Sequence, residues 1–124
     1  MQNWMLMMSS DKNNYANKIY KNYATKFQDA SLIFNKENAT LWARNYMFYL
    51  RGWLPKNKNA YIADLACGGG KFLYYIKNLG YKKIAGVDIS PEQVQIAKQI
   101  TDDIFEEDVK NWLSSNINSF DFIT

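Results

Sequence analysis

The stretch Asp64-Leu-Ala-Cys-Gly-Gly-Gly-Lys-Phe72 joins an apolar segment to an amphipathic one. Residues 61–66 are largely apolar and predict a short buried strand. The glycines predict a turn, and residues 71–79 predict a helix that ends at Gly80. Its expected inward positions are Phe72, Leu73, Tyr75, Ile76 and Leu79. A glycine turn between a strand and a helix N-terminus allows a ligand to approach the main chain closely.

Strands and helices continue to alternate after this unit. The predicted elements are a strand at 83–87, a helix after Ser90, a weak strand at 104–106, a short helix at 108–113 and the start of a strand at 120–124. Such alternation implies right-handed crossovers between parallel strands. The sequence therefore predicts an α/β fold with a mostly parallel sheet covered by helices.

The helix after Ser90 has clear start signals. Ser90 is a good N-cap, and Pro91 suits the first helical position. Gln93 is expected to complete a capping box with Ser90. The apolar positions of this helix are Val94, Ile96, Ala97 and Ile100.

Residues 1–59 predict a separate helical part. One helix of about 16 residues is expected after Asp11, on the apolar spacing of Ala16, Ile19, Tyr20, Tyr23, Ala24 and Phe27. A linker is expected from Asp29 to Asn38, and a second helix from Thr40 to near Arg51. The positions that share the spacing of this second helix are Leu41, Arg44, Met47, Phe48 and Arg51. We predict that residues 1–59 form an N-terminal helical lid on the substrate side, and that residues 60–124 form the sheet domain.

The tyrosines of this N-terminal part have two interpretations. In the first, their rings pack in the core and their hydroxyls reach the surface. In the second, Tyr15, Tyr20 or Tyr23 donates hydrogen bonds into a ligand site beneath the lid.

Composition excludes several classes of site. The chain has no histidine and one cysteine, so it holds no Ser–His–Asp triad, Cys–His dyad, disulfide or histidine metal site within itself. No metal site is predicted. No apolar run approaches the ~20 residues of a membrane span, so a soluble cytoplasmic protein without a membrane partner is expected.

Charge is uneven along the chain. Residues 1–59 carry nine Lys/Arg and three Asp/Glu, whereas residues 60–124 carry six and nine. A basic half can attract nucleic acid, but its lysines are scattered and only two arginines are present, so this partner is not favoured.

Asp88 closes the second predicted strand, 18 residues after Gly70 and on the same rim of the sheet. A carboxylate there is placed to accept hydrogen bonds from two ribose hydroxyls, which favours a nucleoside-bearing ligand. A nicotinamide or flavin fingerprint needs a small residue where Leu73 stands. A phosphate-binding P-loop needs Ser or Thr where Phe72 stands. Neither fingerprint fits.

Four stretches of residues 60–124 together resemble class I S-adenosylmethionine-dependent methyltransferases. Asp64 to Phe72 is similar to the first motif, commonly written D-L-G-C-G-x-G. The others, in order, are Val87 to Val94 with Ile96 to Lys98, Glu107 to Val109, and Ser119 to Ile123. The resemblance implies a Rossmann-like, doubly wound sheet with the order 3-2-1-4-5-7-6. This sequence stops in the fourth strand, so we expect an incomplete sheet of about four strands from a truncated chain.

The resemblance also implies S-adenosylmethionine as cofactor and a role for each matching residue. Asp64 would hold the glycine turn and the methionine ammonium, directly or through water. Ala66, Gly68 and Gly70 would let the backbone reach the methionine part, and Ala66 departs from the usual glycine. Asp88 would accept from the ribose hydroxyls, Ile89 would pack on the adenine, Asp108 would accept from its amino group and Val109 would offer backbone contacts. Cys67 belongs to the same cofactor-binding stretch, as a small packed side chain and not a nucleophile. Lys71 is expected to be solvated.

Methyl transfer to a small molecule or metabolite is the leading function implied. No catalytic base is identified, and positioning can supply much of the acceleration. The alternatives are a non-catalytic remnant or interaction module, which could self-associate through an open sheet edge, and an RNA or DNA methyltransferase.

Overall fold

The computed structural model describes residues 32–124. The helix predicted after Asp11 and the tyrosines proposed for a lid lie outside the described residues. The elements, in chain order, are α1 Lys36–Tyr49, β1 Tyr61–Leu65, α2 Lys71–Asn78, β2 Lys83–Asp88, α3 Pro91–Ala97, β3 Ile104–Glu106, α4 Val109–Ser115 and β4 Phe122–Ile123. Within residues 32–124, no helix combines the length and the apolar character needed to cross a membrane.

The four strands form one parallel sheet in the order β3-β2-β1-β4. In the register, Ile62 of β1 lies between Ile84 of β2 and Phe122 of β4. The chain adds β2 and β3 on one side of β1 and then returns to the other side for β4. This reversal makes a topological switch point between β1 and β4, where ligands of open α/β sheets bind. The predicted doubly wound α/β fold is confirmed.

Helices cover both faces of the sheet because alternate residues of β1 point to opposite sides. Ile62 joins a larger cluster with residues of α2 and α3, and Ala63 joins a smaller one with Trp112 of α4. The largest fully buried side chains of the larger cluster are those of Ile62, Leu73 and Ile76. Burial of such side chains contributes about 1.5–3 kcal/mol each, so these two clusters hold the sheet rigid beneath the site.

α1 packs against α2 with a different face from the one that the sequence suggested. Ala39 is fully buried and Tyr46 lies edge-on to Phe72, with ring centroids 5.3 Å apart. The predicted face is therefore directed away from α2, and its apolar members Leu41, Met47 and Phe48 are exposed in the described structure.

α1 also begins four residues before the predicted Thr40. The side chain of Asn35 accepts a hydrogen bond from the backbone N–H of Asn38 at 2.9 Å. This cap satisfies an otherwise orphaned donor of the first turn. Residues 36–38, predicted as linker, are consequently helical.

Two smaller predictions are corrected. Leu79, predicted to point inward, is the C-cap of α2 and is 39% exposed, so its side chain lies at the surface where the helix ends. In a capping box, the side chain of Gln93 would accept a hydrogen bond from the backbone N–H of Ser90. Here that N–H donates instead to the carboxylate of Asp88, at 2.8 Å. Ser90 does cap α3, as predicted.

Gln99 fastens the segment that leads into α1. Its side-chain oxygen accepts from the N–H of Phe34 at 2.9 Å, and its side-chain nitrogen donates to the carbonyl of Leu32 at 2.7 Å. The ring of Phe34 lies 5.0 Å from that of Tyr74 on α2. These contacts fix where the chain enters α1.

Candidate functional site

The carboxyl end of β1 continues into a loop of residues 66–70, here called the glycine loop. The loop is tied to β2 by two hydrogen bonds, from Cys67 N–H to the carbonyl of Val87 at 3.0 Å and from Gly68 N–H to the carboxylate of Asp88 at 2.9 Å. Among residues 32–124, no side chain caps α2, which follows the loop. The first N–H groups of that helix therefore lie beside the loop without intrahelical acceptors, as suits an anionic or polar ligand.

Ala66 adopts the left-handed backbone conformation, with φ of +55°. A side chain at positive φ costs roughly 1–2 kcal/mol, because Cβ crowds the following carbonyl oxygen. This conformation explains why the resembling motif carries glycine at the position of Ala66.

Ala66→Gly is expected to raise the free energy of unfolding by about 1 kcal/mol, since the relief at positive φ outweighs the greater entropy of glycine in the unfolded chain. Urea titration monitored by circular dichroism measures this change. Ala63→Gly, in the regular and buried part of β1, is the control and should lower stability. A lower stability for Ala66→Gly as well would contradict the strain argument.

Asp88 links the glycine loop to α3. One carboxylate oxygen accepts from Gly68 N–H and the other accepts from Ser90 N–H. Each oxygen has a further lone pair, so the carboxylate retains acceptor capacity toward a ligand hydroxyl. The same contacts hold the side chain in one orientation on the rim.

A cavity of about 420 Å³ opens between the glycine loop and α1. Its lining residues are Trp42, Tyr46, Tyr49, Leu50, Asp64, Ala66, Cys67, Gly68, Gly69, Lys71, Phe72 and Thr124. The volume lies in the range of small-molecule sites. Because Thr124 follows β4 and the loop follows β1, the cavity lies at the switch point of the sheet.

Asp64 lines this cavity and is 9% exposed. Within residues 32–124, no group forms a hydrogen bond or ion pair with its carboxylate. Burial first, and the negative charge of Asp88 second, raise the pKa of Asp64 from its ordinary value of 3.8 to about 7. A cation or hydrogen-bond donor that enters the cavity would stabilise the ionised form of this buried carboxylate.

Cys67 is buried and lies against Gly86 of β2. Burial, together with the charges of Asp64 and Asp88, raises the pKa of the thiol well above its ordinary value. The protonated thiol is therefore the stable form, and such a thiol is a poor nucleophile.

The structure brings together only part of the predicted cofactor-binding set. Four members line the cavity: Asp64, Ala66, Cys67 and Gly68. Gly70 faces the core instead, because a Cβ there would lie 2.6 Å from Cδ1 of Ile100. Ile89 follows β2 on the rim. Asp108 is the N-cap of α4 and accepts from the N–H groups of Lys110 and Asn111, so one of its oxygens is already engaged, and Val109 begins that helix.

Three of the lining residues that the sequence did not assign to the site have aromatic or charged side chains of particular interest: Trp42, Tyr46 and Lys71. Trp42 and Tyr46 extend from α1 and stack with ring centroids 6.2 Å apart. Lys71, expected to be solvated, is half-buried and holds its ammonium 5.5 Å from the ring centroid of Trp42. The four-residue spacing of Trp42 and Tyr46 was the available signal for a shared aromatic face.

Tyr46 is the aromatic residue most closely coupled to the buried carboxylate. Burial first, and the negative charge of Asp64 second, raise the pKa of Tyr46. The hydroxyl therefore stays protonated at neutral pH, and it belongs to a residue that lines the cavity.

Comparison with known proteins gives one family match and several structural ones. The family model described as a methyltransferase domain matches residues 62–124, just over half of the chain. The solved structure of the plantazolicin methyltransferase BpumL in complex with SAH is 21% identical, and the match covers 96% of this chain and 49% of that chain with a TM-score of 0.51. The structure of BpumL with a pentazolic desmethylPZN analog and SAH is 25% identical over 92% and 41% of the two chains, with a TM-score of 0.49. No curated protein matches the sequence. The chain spans about half the length of the solved BpumL chain that it resembles in fold.

Proposed function

This chain belongs to the methyltransferase-domain family, which confirms the resemblance of its motifs, and we propose that it binds S-adenosylmethionine and supports methyl transfer to a small-molecule acceptor. The observation that carries the proposal is the buried carboxylate of Asp64, which has no partner among residues 32–124 and lines a cavity walled by the glycine loop. The solved BpumL structure contains SAH, and its fold is similar.

The residues of the cavity fit such a cofactor. A methionine ammonium would supply the positive partner that Asp64 lacks among residues 32–124. Space is available at Gly68, where an added Cβ would meet nothing closer than 3.9 Å. The bound cofactor would supply an electrophilic methyl group on a positively charged sulfur.

Each residue then has a defined task. Asp64 holds the ammonium, and the backbone of Ala66 and Gly68 adjoins the methionine part. Asp88 accepts from the ribose hydroxyls while it keeps the loop in place. Ile89, Asp108 and Val109 follow β2 and β3 on the same rim, where the adenine would lie.

The wall opposite the glycine loop supports a small apolar or aromatic acceptor. Trp42 and Tyr49 border the cavity and are 45% and 73% exposed. Flat ring surfaces of this kind bind apolar ligands by burying area and by stacking. Acceleration then comes mainly from holding acceptor and methyl group in line, because Asp64, the acidic side chain of the described cavity lining, is already assigned to the ammonium.

Calorimetry with purified protein tests the cofactor site. Wild type is expected to bind S-adenosylmethionine, and Asp88→Asn is expected to bind it about tenfold more weakly, because a charged acceptor for ribose hydroxyls is lost. Asp102→Asn, an exposed carboxylate beyond α3, is the matched control and should bind as wild type. Thermal unfolding verifies that both variants are folded.

Two results would contradict the proposal. One is the absence of binding by folded wild type, and the other is equal affinity of wild type and Asp88→Asn. A radiolabel assay with a panel of aromatic small molecules, with RNA and with no acceptor then separates an enzyme from a cofactor-binding remnant.

A further inference from the structure

We propose that Lys71 binds the α-carboxylate of the methionine moiety, so that the cavity holds the amino-acid end of the cofactor between Lys71 and Asp64. This inference rests on the proposed function and goes beyond it, because it assigns a residue that the resembling motifs leave open. It also assigns Trp42 as the positioning residue for Lys71.

The first reason for this assignment is the charge of the residues that line the cavity. Among its lining residues, Asp64 is the acidic side chain and Lys71 is the basic one. The amino-acid end of the cofactor carries one ammonium and one carboxylate at neutral pH. A cavity with one charge of each sign is therefore complementary to this end, whereas an adenosine alone would leave both charges unpaired.

The second reason is the environment of the Lys71 side chain. Within residues 32–124, no carboxylate lies within ion-pair distance of its ammonium, although the side chain is half-buried. A half-buried ammonium without an anion gains most from an anionic ligand. Lys71 is also the first residue of the eight-residue helix α2, whose uncapped N-terminal N–H groups add positive potential at the same place.

The third reason is the contact of Lys71 with Trp42. The ammonium of Lys71 lies 5.5 Å from the centroid of the indole ring, within the range of a cation–π contact. This contact joins α1 to α2 across the cavity and holds a long, flexible side chain over the opening. The side chain of Lys71 is therefore already ordered before the ligand binds, which reduces the conformational entropy that binding must remove.

Two ligands that differ only at the carboxylate test the assignment. Calorimetry with wild type and Lys71→Met is done with S-adenosylmethionine and with its decarboxylated form. Lys71→Met is expected to weaken binding of S-adenosylmethionine about tenfold and to leave binding of the decarboxylated form within about twofold. Lys71→Arg is expected to bind both ligands as wild type does. Lys82→Met, an exposed lysine at the opposite end of the sheet, is the matched control.

The outcomes separate the two proposals. Equal weakening of both ligands, or no weakening of either, would overturn the role of Lys71 while the cofactor site stands. Failure of wild type to bind either ligand would overturn both proposals. Binding of the decarboxylated form shows in the same experiment that Lys71→Met is folded.

A double-mutant cycle tests Trp42. Trp42→Leu alone is expected to weaken binding of S-adenosylmethionine about threefold, and to add no further loss in the Lys71→Met background. Additive losses would assign Trp42 a direct ligand contact and would overturn its role as a positioning residue.

Discussion

The Asp64→Asn variant is expected to be more stable than the unliganded wild type above pH 7, by up to about 4 kcal/mol. The reason is the pKa of Asp64, which burial and the charge of Asp88 raise from 3.8 to about 7 in the folded state. The folded protein holds this proton more tightly than the unfolded chain does. The associated stability is fully present below about pH 4 and is lost as pH rises through about 7. An asparagine has no such dependence.

Urea titrations of both proteins from pH 4 to pH 8.5 measure the difference. The two free energies of unfolding should be similar at pH 4 and should diverge with rising pH, in favour of the variant. Asp102→Asn, which removes an exposed carboxylate, should run parallel to wild type. Parallel curves for Asp64→Asn as well would show that the buried carboxylate carries no such penalty.

The same substitution has the opposite effect on the ligand. Asp64→Asn is expected to lower affinity for S-adenosylmethionine at least tenfold, because the ammonium loses its charged partner. Wild-type affinity should rise as pH increases through about 7, when Asp64 ionises, and the variant should show no such rise. The site thus gives up stability for binding.

Gly70→Ala is expected to destabilise the fold by about 2–5 kcal/mol. Gly70 has φ of +90°, and a Cβ there would lie 2.6 Å from Cδ1 of Ile100 and 3.3 Å from Cα of Ala97. The substitution therefore adds a steric clash with Ile100, three residues after the end of α3, to the backbone strain. Urea titration measures the loss, and ligand binding should fall with it because the glycine loop is displaced.

Gly80→Ala is the matched control for this prediction. Gly80 has φ of +98°, but no atom of the described part of the chain lies within 4 Å of an added Cβ. It should therefore lose only the backbone term, about 1–2 kcal/mol. Equal losses at Gly70 and Gly80 would show that α2 and α3 can separate without cost.

The sequence predicted the parts of this site that depend on local chemistry. The glycine turn after β1 and the carboxylate at the end of β2 each follow from neighbouring residues, and the structure joins them through Gly68 and Asp88. The alternation of strands and helices was sufficient to predict the parallel sheet. Helical periodicity gave Leu73 and Ile76 as buried positions of α2, and the apolar run at residues 61–66 gave β1 as a buried strand, since burial on a sheet imposes such patterns directly.

The parts that depend on how α1 meets α2 could not be predicted in this way. Leu41, Met47 and Phe48 form the more apolar stripe, yet Tyr46 contacts α2 and Ala39 is fully buried. The face of α1 that meets α2 is set by the tertiary packing of the two helices, which the hydrophobicity of single residues does not mark. For the same reason Trp42 and Lys71 were not assigned to the cavity, and the pKa of Asp64 required its burial to be known.

The hydrogen bonds of Gln99 fix the number of residues between the anchored segment and the start of α1. Leu32 and Phe34 are held on one side, and the N-cap at Asn35 starts the helix immediately afterwards. Inserting one residue at that junction would turn every later side chain of α1 by about 100° and carry Trp42 away from the opening. We therefore expect insertions and deletions to be tolerated in the exposed turn at residues 56–59 and not to be tolerated at residue 35.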